Sequence, residues 1–380
     1  MKNPFGDHPA RSLWLLVLGV VVALPVDAGS ERSGGLPQIE VSFEDSGTSA
    51  LGHDIWGLGL RWNDIAGSGH AMGYRFNRTG KKGGLEAHGV NYRVPLEEGR
   101  GLLLGARYAE VSDKVVDVDP RARSDAYWLR LELPLGEDDS PVTQRLRVGM
   151  DYKNYNNDLI YFGDAVYDNF VKIIQLVASY SAVRPDESGI NQWFLHFVAS
   201  PGGLGRNNQT SRFEAARTNA EANYHRIQLG FERHQRLRHG YAWVVRSRIQ
   251  QTDSRLLPSE QMALGGRTSI RGFNERDTGG DNGYWLSNEL RSPHFELPGI
   301  QGPSLGDAQL LMFADWGRAS TVQPEEDEFS HRALASVGFG VRYQWREHLQ
   351  VEGDFGWQVA GRYDDISDQA RTHWRVSASF

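Results

Sequence analysis

The stretch Tyr127-Trp128-Leu129-Arg130-Leu131-Glu132-Leu133 puts Tyr127, Leu129, Leu131 and Leu133 on one face of an extended backbone and Trp128, Arg130 and Glu132 on the other. Alternation at period two means a strand with one apolar and one polar side. The pattern recurs in Arg226-Ile227-Gln228-Leu229-Gly230-Phe231-Glu232, with Ile, Leu and Phe opposite Arg, Gln, Gly and Glu. It recurs again in Ala335-Ser336-Val337-Gly338-Phe339-Gly340-Val341-Arg342-Tyr343. A soluble sandwich would turn such apolar faces inward, whereas a barrel in an outer membrane turns them to lipid and keeps a polar lumen. The polar faces here carry Gly, Arg, Glu, Asp and Tyr, as a wet lumen needs. Trp62, Trp345 and Trp374 stand at strand ends, where interfacial aromatic girdles sit.

Composition narrows the alternatives. The chain has 380 residues with 23% charged and 39% hydrophobic, and a mean hydropathy of −0.50. Only one stretch, near the N-terminus, is apolar enough to be compared with a spanning helix, so a helical transporter is excluded. Disorder does not fit 11 Trp, 14 Tyr and 16 Phe. A formal charge of −7 argues against a nucleic-acid partner. With no cysteine there is no disulfide frame, thiolate nucleophile or Cys-ligated zinc.

The N-terminus reads as an address. Lys2 and Arg11 precede the apolar run Leu13–Leu24, followed by Pro25 and the small-residue site Val26-Asp27-Ala28. This is the layout of a secretory signal peptide spanning residues 1–28, and the run falls short of the roughly 20 residues that a spanning anchor needs. Residues 29–37 then form a short periplasmic lead-in, and residues 38–380 a single barrel domain.

The alternation predicts an all-β fold: a 16-stranded antiparallel transmembrane β-barrel with a long extracellular loop folded into the lumen. Fourteen and eighteen are the neighbouring counts. Strands are expected at 125–134, 143–153 and 167–180, among others. An even count suits a bacterial single-chain barrel. The short connections 96–101 and 347–348 read as periplasmic turns. The longer ones, 77–84, 110–124, 202–224 and 252–281, read as external loops, and all four fall where an even, periplasm-first count puts the outside. The segment 211–220 is a candidate short helix in one of them, on its Ala content. The chain ends Trp374-Arg375-Val376-Ser377-Ala378-Ser379-Phe380, an alternating strand closing on Phe. Trp374 and Phe380 resemble the C-terminal assembly signal of bacterial outer-membrane barrels.

The loop before the twelfth strand reads Gln261-Met262-Ala263-Leu264-Gly265-Gly266-Arg267-Thr268-Ser269-Ile270-Arg271-Gly272-Phe273. It resembles the Arg-Gly-Phe/Tyr loop of the BamA/TpsB superfamily, especially the two-partner secretion transporters of the haemolysin-activator group. Tyr284–Arg291 is similar to that family's twelfth strand, and Phe313-Ala314-Asp315-Trp316-Gly317 to its Phe-x-Asp-x-Gly strand. The front end, Phe43–Gly47 through Tyr92–Leu96, is similar to the family's barrel entry. A lone Arg-Gly-Phe is weak; three motifs in order, on separately placed strands, are specific.

The resemblance implies an outer-membrane pore for polypeptide secretion, with a secreted protein client and no cofactor. It implies that Arg271, with Gly272 and Phe273, folds back into the lumen and pairs with Asp315, with Glu289 nearby and with Phe313 and Gly317 on the same strand face as Asp315. Parity agrees: Leu311, Phe313, Asp315 and Gly317 share one side, and a carboxylate on the lipid side would be costly. Family transporters carry periplasmic POTRA domains before the barrel. About ten residues separate the expected cleavage site from the first strand, which makes a separate POTRA-bearing or periplasmic protein one candidate partner for client capture.

Other chemistry lacks support. No Gly-Lys-Ser/Thr follows Gly265-Gly266, and the 12 His form no HExxH pattern, so neither a nucleotide nor a metal site is expected. No Ser/His or Asp/His constellation assembles on the strand faces, so the protein is not expected to be an enzyme. A membrane anchor or assembly partner for another protein, and a passive diffusion porin, stay open beside the secretion pore.

Overall fold

The computed structural model describes residues 36–48, 51–81, 84–112, 118–137, 139–161, 164–299, 305–326, 328–361 and 369–380. The expected signal peptide and all but the end of the lead-in lie outside the described residues. Sixteen strands run up and down in chain order. They are β1 (Gln38–Glu44), β2 (Ile55–Trp62), β3 (Ala71–Thr79), β4 (Leu85–Pro95), β5 (Gly101–Ser112), β6 (Val118–Leu135), β7 (Thr143–Tyr161) and β8 (Asp164–Asp186). Then come β9 (Gly189–Pro201), β10 (Asn223–Arg236), β11 (Ala242–Gln251), β12 (Asn282–Arg291), β13 (Asp307–Ser320), β14 (His331–Trp345), β15 (Leu349–Ala360) and β16 (Ala370–Ser379). Each pairs antiparallel with its neighbours, and a two-residue segment, Phe295–Glu296, extends the β12 side of β13. β1 pairs with β16 from Glu40↔Ser379 to Glu44↔Arg375, which closes the sheet into a barrel without edges. The bond from Phe380 N–H to Ile39 O, at 2.8 Å, completes the seam.

Burial is inverted relative to a soluble protein. On β13, Leu310, Met312 and Trp316 are 50%, 61% and 48% exposed, while Leu311, Phe313 and Asp315 are buried. Large apolar side chains cover the outside and charges fill the inside, because lipid rather than water surrounds the wall. Trp374 and Phe380 share the outward face of β16, and Phe380 is 74% exposed.

Two expectations need correction. The segment 110–124 is not mainly loop: β5 continues to Ser112, β6 begins at Val118, and β7 and β8 extend to Tyr161 and from Asp164. The Asn154–Asn157 run looks like a turn in sequence. Beyond the lipid, however, ladder hydrogen bonds do not require an apolar face, and this segment pairs with Ala122–Asp125 of β6. The projecting strands also gain an inner lining, since Tyr155 and Val171 pack with Phe213, Leu256 and Leu257. The helix expected at 211–220 spans only Thr210–Ala216. Arg217 leaves helical geometry, and its guanidinium is bound to Asp281 in the long loop.

Candidate functional site in the lumen loop

The loop between β11 and β12 is held at three levels. Its stem carries Leu256 and Leu257, both buried against the helix residue Phe213 and the β7, β8 and β10 residues Tyr155, Ile173 and Tyr224. Asp281, at the loop's return, binds Arg217, accepts from Leu256 N–H at 3.0 Å and accepts from Val322 N–H at 2.9 Å. These bonds tie three external connections together.

Below the stem sits Glu260, fully inside the protein. Its carboxylate accepts from Lys153 Nζ (2.7 Å), Arg226 Nη2 (3.1 Å) and Gln175 Nε2 (2.8 Å), on β7, β10 and β8. Burial alone would raise its pKa, but the Lys153 and Arg226 charges prevail and hold it well below the usual carboxylate range.

The loop then forms a small hairpin, Met262–Leu264 with Thr278–Gly280. Met262, Leu264, Ile270 and Phe273 pack with Ala319 and Leu334 of the barrel wall. Gly317 makes room for this contact: a Cβ there would stand 2.9 Å from Ile270 Cδ1.

At the tip, Arg271 is 2% exposed. Its Nε and Nη2 donate to the two oxygens of Asp315 at 2.7 and 2.8 Å, and its backbone N–H donates to Asp315 at 3.1 Å. Nη1 donates to Glu289 at 2.8 Å and Nη2 to Ser287 at 3.1 Å. The Phe313 ring lies 3.6 Å from the guanidinium carbon, a cation–π contact. Burial opposes the charge, but Asp315 and Glu289 outweigh it and hold the Arg271 pKa above its ordinary value. Gly272 is clamped as well. Its N–H donates to His373 Nε2 at 3.2 Å, and its carbonyl accepts from Gln358 at 2.7 Å. Its φ of +88° is open to glycine at little cost.

Arg271, Gly272 and Phe273 at the loop tip therefore lie beside Asp315, Glu289, Phe313 and Gly317 of the facing wall. Trp374 and Phe380 do not join them; they belong to the outer face of the seam. Sequence reasoning missed Glu260 with Lys153, Arg226 and Gln175, the clamp of His373 and Gln358, and Asp354, which lies 3.8 Å from Arg271. Lumen parity marks Asp354, Gln358 and His373 as inward, but nothing local says which inward residues meet a loop.

Residues 29–343, more than half of the chain, match the family described as haemolysin secretion/activation protein ShlB/FhaC/HecB. The outer membrane transporter CdiB of Escherichia coli O6:K15:H31 (strain 536 / UPEC) is 29% identical over 140 residues, 36% of this chain and 22% of that protein. CdiB of Dickeya dadantii (strain 3937) is 30% identical over 125 residues, 33% of this chain and 21% of its own. Among solved structures, CdiB from Escherichia coli superposes with a TM-score of 0.75 at 16% identity, covering 90% of this chain and 63% of that one. BamA from Haemophilus ducreyi, in a structure lacking POTRA domains 1–3, gives 0.60 at 13% identity, covering 92% and 71%. The matched stretch is about a fifth of the length of the curated relatives. These structural likenesses show the fold, a barrel like those of CdiB and BamA.

Proposed function

Because the chain belongs to the ShlB/FhaC/HecB haemolysin secretion/activation family and forms a barrel of the bacterial outer membrane, we propose that it is a polypeptide-secretion pore of the two-partner type. In this reading the β11–β12 loop closes the lumen and Arg271 is its latch. The observation that carries the reading is the burial of Arg271 against Asp315 and Glu289 on two wall strands. A charge is taken out of water there only with a full set of partners, and such an arrangement specifies a conformation more than it adds stability. Opening requires an alternative state in which the loop leaves these partners, a two-state element that a client or a periplasmic partner could bias. In this reading the closed state is the resting one.

The test is leakiness in cells. A Gram-negative host carrying the wild-type barrel should exclude a bulky antibiotic that its outer membrane normally stops, and the Arg271→Ala barrel, at equal level in the membrane, should admit it. Equal sensitivity for both would count against the latch. A passive porin predicts that equality, and so does an anchor with no conducting lumen.

A further inference from the structure

Charge inside the lumen is one-sided. The cavity beside the loop has a volume of about 1210 Å³, and among the described residues lining it basic side chains outnumber acidic ones eleven to four. The chain as a whole has a formal charge of −7, so composition does not impose this sign. The buried Glu132 and Glu260 do not restore neutrality, because each is shared between two cations. Glu132 faces Arg93 at 3.3 Å and Arg147 at 2.8 Å, and Glu260 faces both Lys153 and Arg226.

Two arginines lining this cavity make no ion pair within 4.0 Å with a carboxylate among the described residues, although Asp151 acts on Arg107 from further away. Arg107 of β5 lies over the Trp128 ring at 5.0 Å, and its Nε is buried without a hydrogen-bond partner. Asp151, which stands opposite Trp128 in the β6–β7 ladder, is bonded to Arg130 instead. Arg248 of β11 lies over Phe194 at 5.0 Å and Trp285 at 5.9 Å.

The strand register explains both stacks. Trp128 pairs with Gly105, and Phe194 pairs with Gly230, which in turn pairs with Arg248, which pairs with Trp285. A Cβ at Gly105 would stand 1.9 Å from the Trp128 ring, and one at Gly230 1.8 Å from Phe194. The rings therefore cover bare backbone, with a guanidinium carbon 5.0 Å from the centre of each. A cation–π contact uses the face of a guanidinium and leaves N–H groups for a planar, two-oxygen acceptor.

We propose that this cavity binds acidic, extended polypeptide segments, with Arg107 and Arg248 as the carboxylate contacts and Trp128, Phe194 and Trp285 as ring contacts beside them. Arginines on separate strands, neither in a close ion pair, suit a ligand that brings several carboxylates on one chain, rather than a single small anion. The inference deepens the pore reading by giving the chemistry of the chain that the lumen accommodates.

Binding tests it without requiring current or transport. A dye-labelled 20-residue oligoglutamate is titrated into the refolded full-length barrel in detergent and followed by anisotropy, beside an oligolysine of equal length and free glutamate. Heat-modifiable migration checks folding of every variant. The expected result is saturable oligoglutamate binding that weakens with salt and has no oligolysine counterpart. Each single substitution Arg107→Gln or Arg248→Gln should weaken it about 5-fold, the order expected for one charge contact, and Arg→Lys should retain most of it. Equal binding of the two peptides overturns the proposal even if a Gln variant fails to fold. Oligoglutamate binding no tighter than free glutamate, or unchanged in folded Gln variants, overturns it too. Failure of the pore reading is a separate result, seen as absence of conductance.

Discussion

Arg271 and Asp315 are joined by three hydrogen bonds, two from the guanidinium and one from the Arg271 backbone, across 44 residues of sequence. The side chain is thus fixed at both ends, and Asp315 accepts from the loop's main chain as well as from its charge. Replacing Asp315 by Asn keeps the shape and removes the charge. Removing one partner of a buried pair costs about 3–5 kcal/mol, all of it here from the docked state of the loop. Tryptic cleavage after Arg267 or Arg276 should accordingly be much faster in Asp315→Asn than in the wild type, with the barrel itself intact. Equal cleavage rates would mean that the pair does not hold the loop.

The loop can be displaced without touching any charge. A Cβ on Gly356 of β15 would stand 2.7 Å from Gly272 N and 2.8 Å from Gly272 Cα, against backbone that cannot give way as a side chain tip can. Gly356→Ala should therefore loosen the loop as Asp315→Asn does, while Gly353→Ala on the same strand, where a Cβ meets nothing within 4 Å, should be silent. Protease sensitivity of the pair decides the matter: matching profiles would refute the packing argument.

Docking of the loop should depend on pH through Glu275, which lies in the loop outside every strand. Burial pushes its pKa up from 4.5 to about 7, although its carboxylate accepts from Arg267 N–H at 2.7 Å. A raised carboxylate pKa means that the docked loop holds a proton which the released loop does not. Docking is then strongest below the free-chain value, weakens as pH rises, and levels off above about 7. Loop cleavage by an acid-tolerant protease should increase between pH 5 and 8, and Glu275→Gln should flatten the profile. A profile that rises toward acid would give the opposite sign.

The outward face makes a prediction about the membrane itself. Met312 points to lipid and Phe313 to the lumen. A Met312→Arg barrel should lose about 2–4 kcal/mol of folding free energy if the residue sits near the bilayer midplane. Urea titration in lipid vesicles would measure it, and a loss under 1 kcal/mol would place the position nearer an interface.

Much of this architecture is legible in the sequence because strand period and membrane thickness act locally. Alternation in segments such as Tyr127–Leu133 sets strand, face and count together, and a one-residue slip would expose every charge to lipid. The ends of β6, β7 and β8 were not legible, since outside the lipid the constraint on Asn154–Asn157 disappears while the ladder continues. The Arg271–Asp315 pair was reachable through a resemblance supported by parity. Glu260 was not, because its partners Lys153, Gln175 and Arg226 lie on three strands and meet it only after the loop has folded inward. The stacks of Arg107 and Arg248 depend on cross-strand register with Gly105 and Gly230, which no single segment encodes.

Single-channel conductance of the refolded chain in planar bilayers tests most directly whether a latched loop closes the lumen. Wild type should give small, flickering currents, and both Arg271→Ala and Asp315→Asn should give larger, steadier ones. Large and steady currents of the same size in all three would contradict the latch and leave an open diffusion pore.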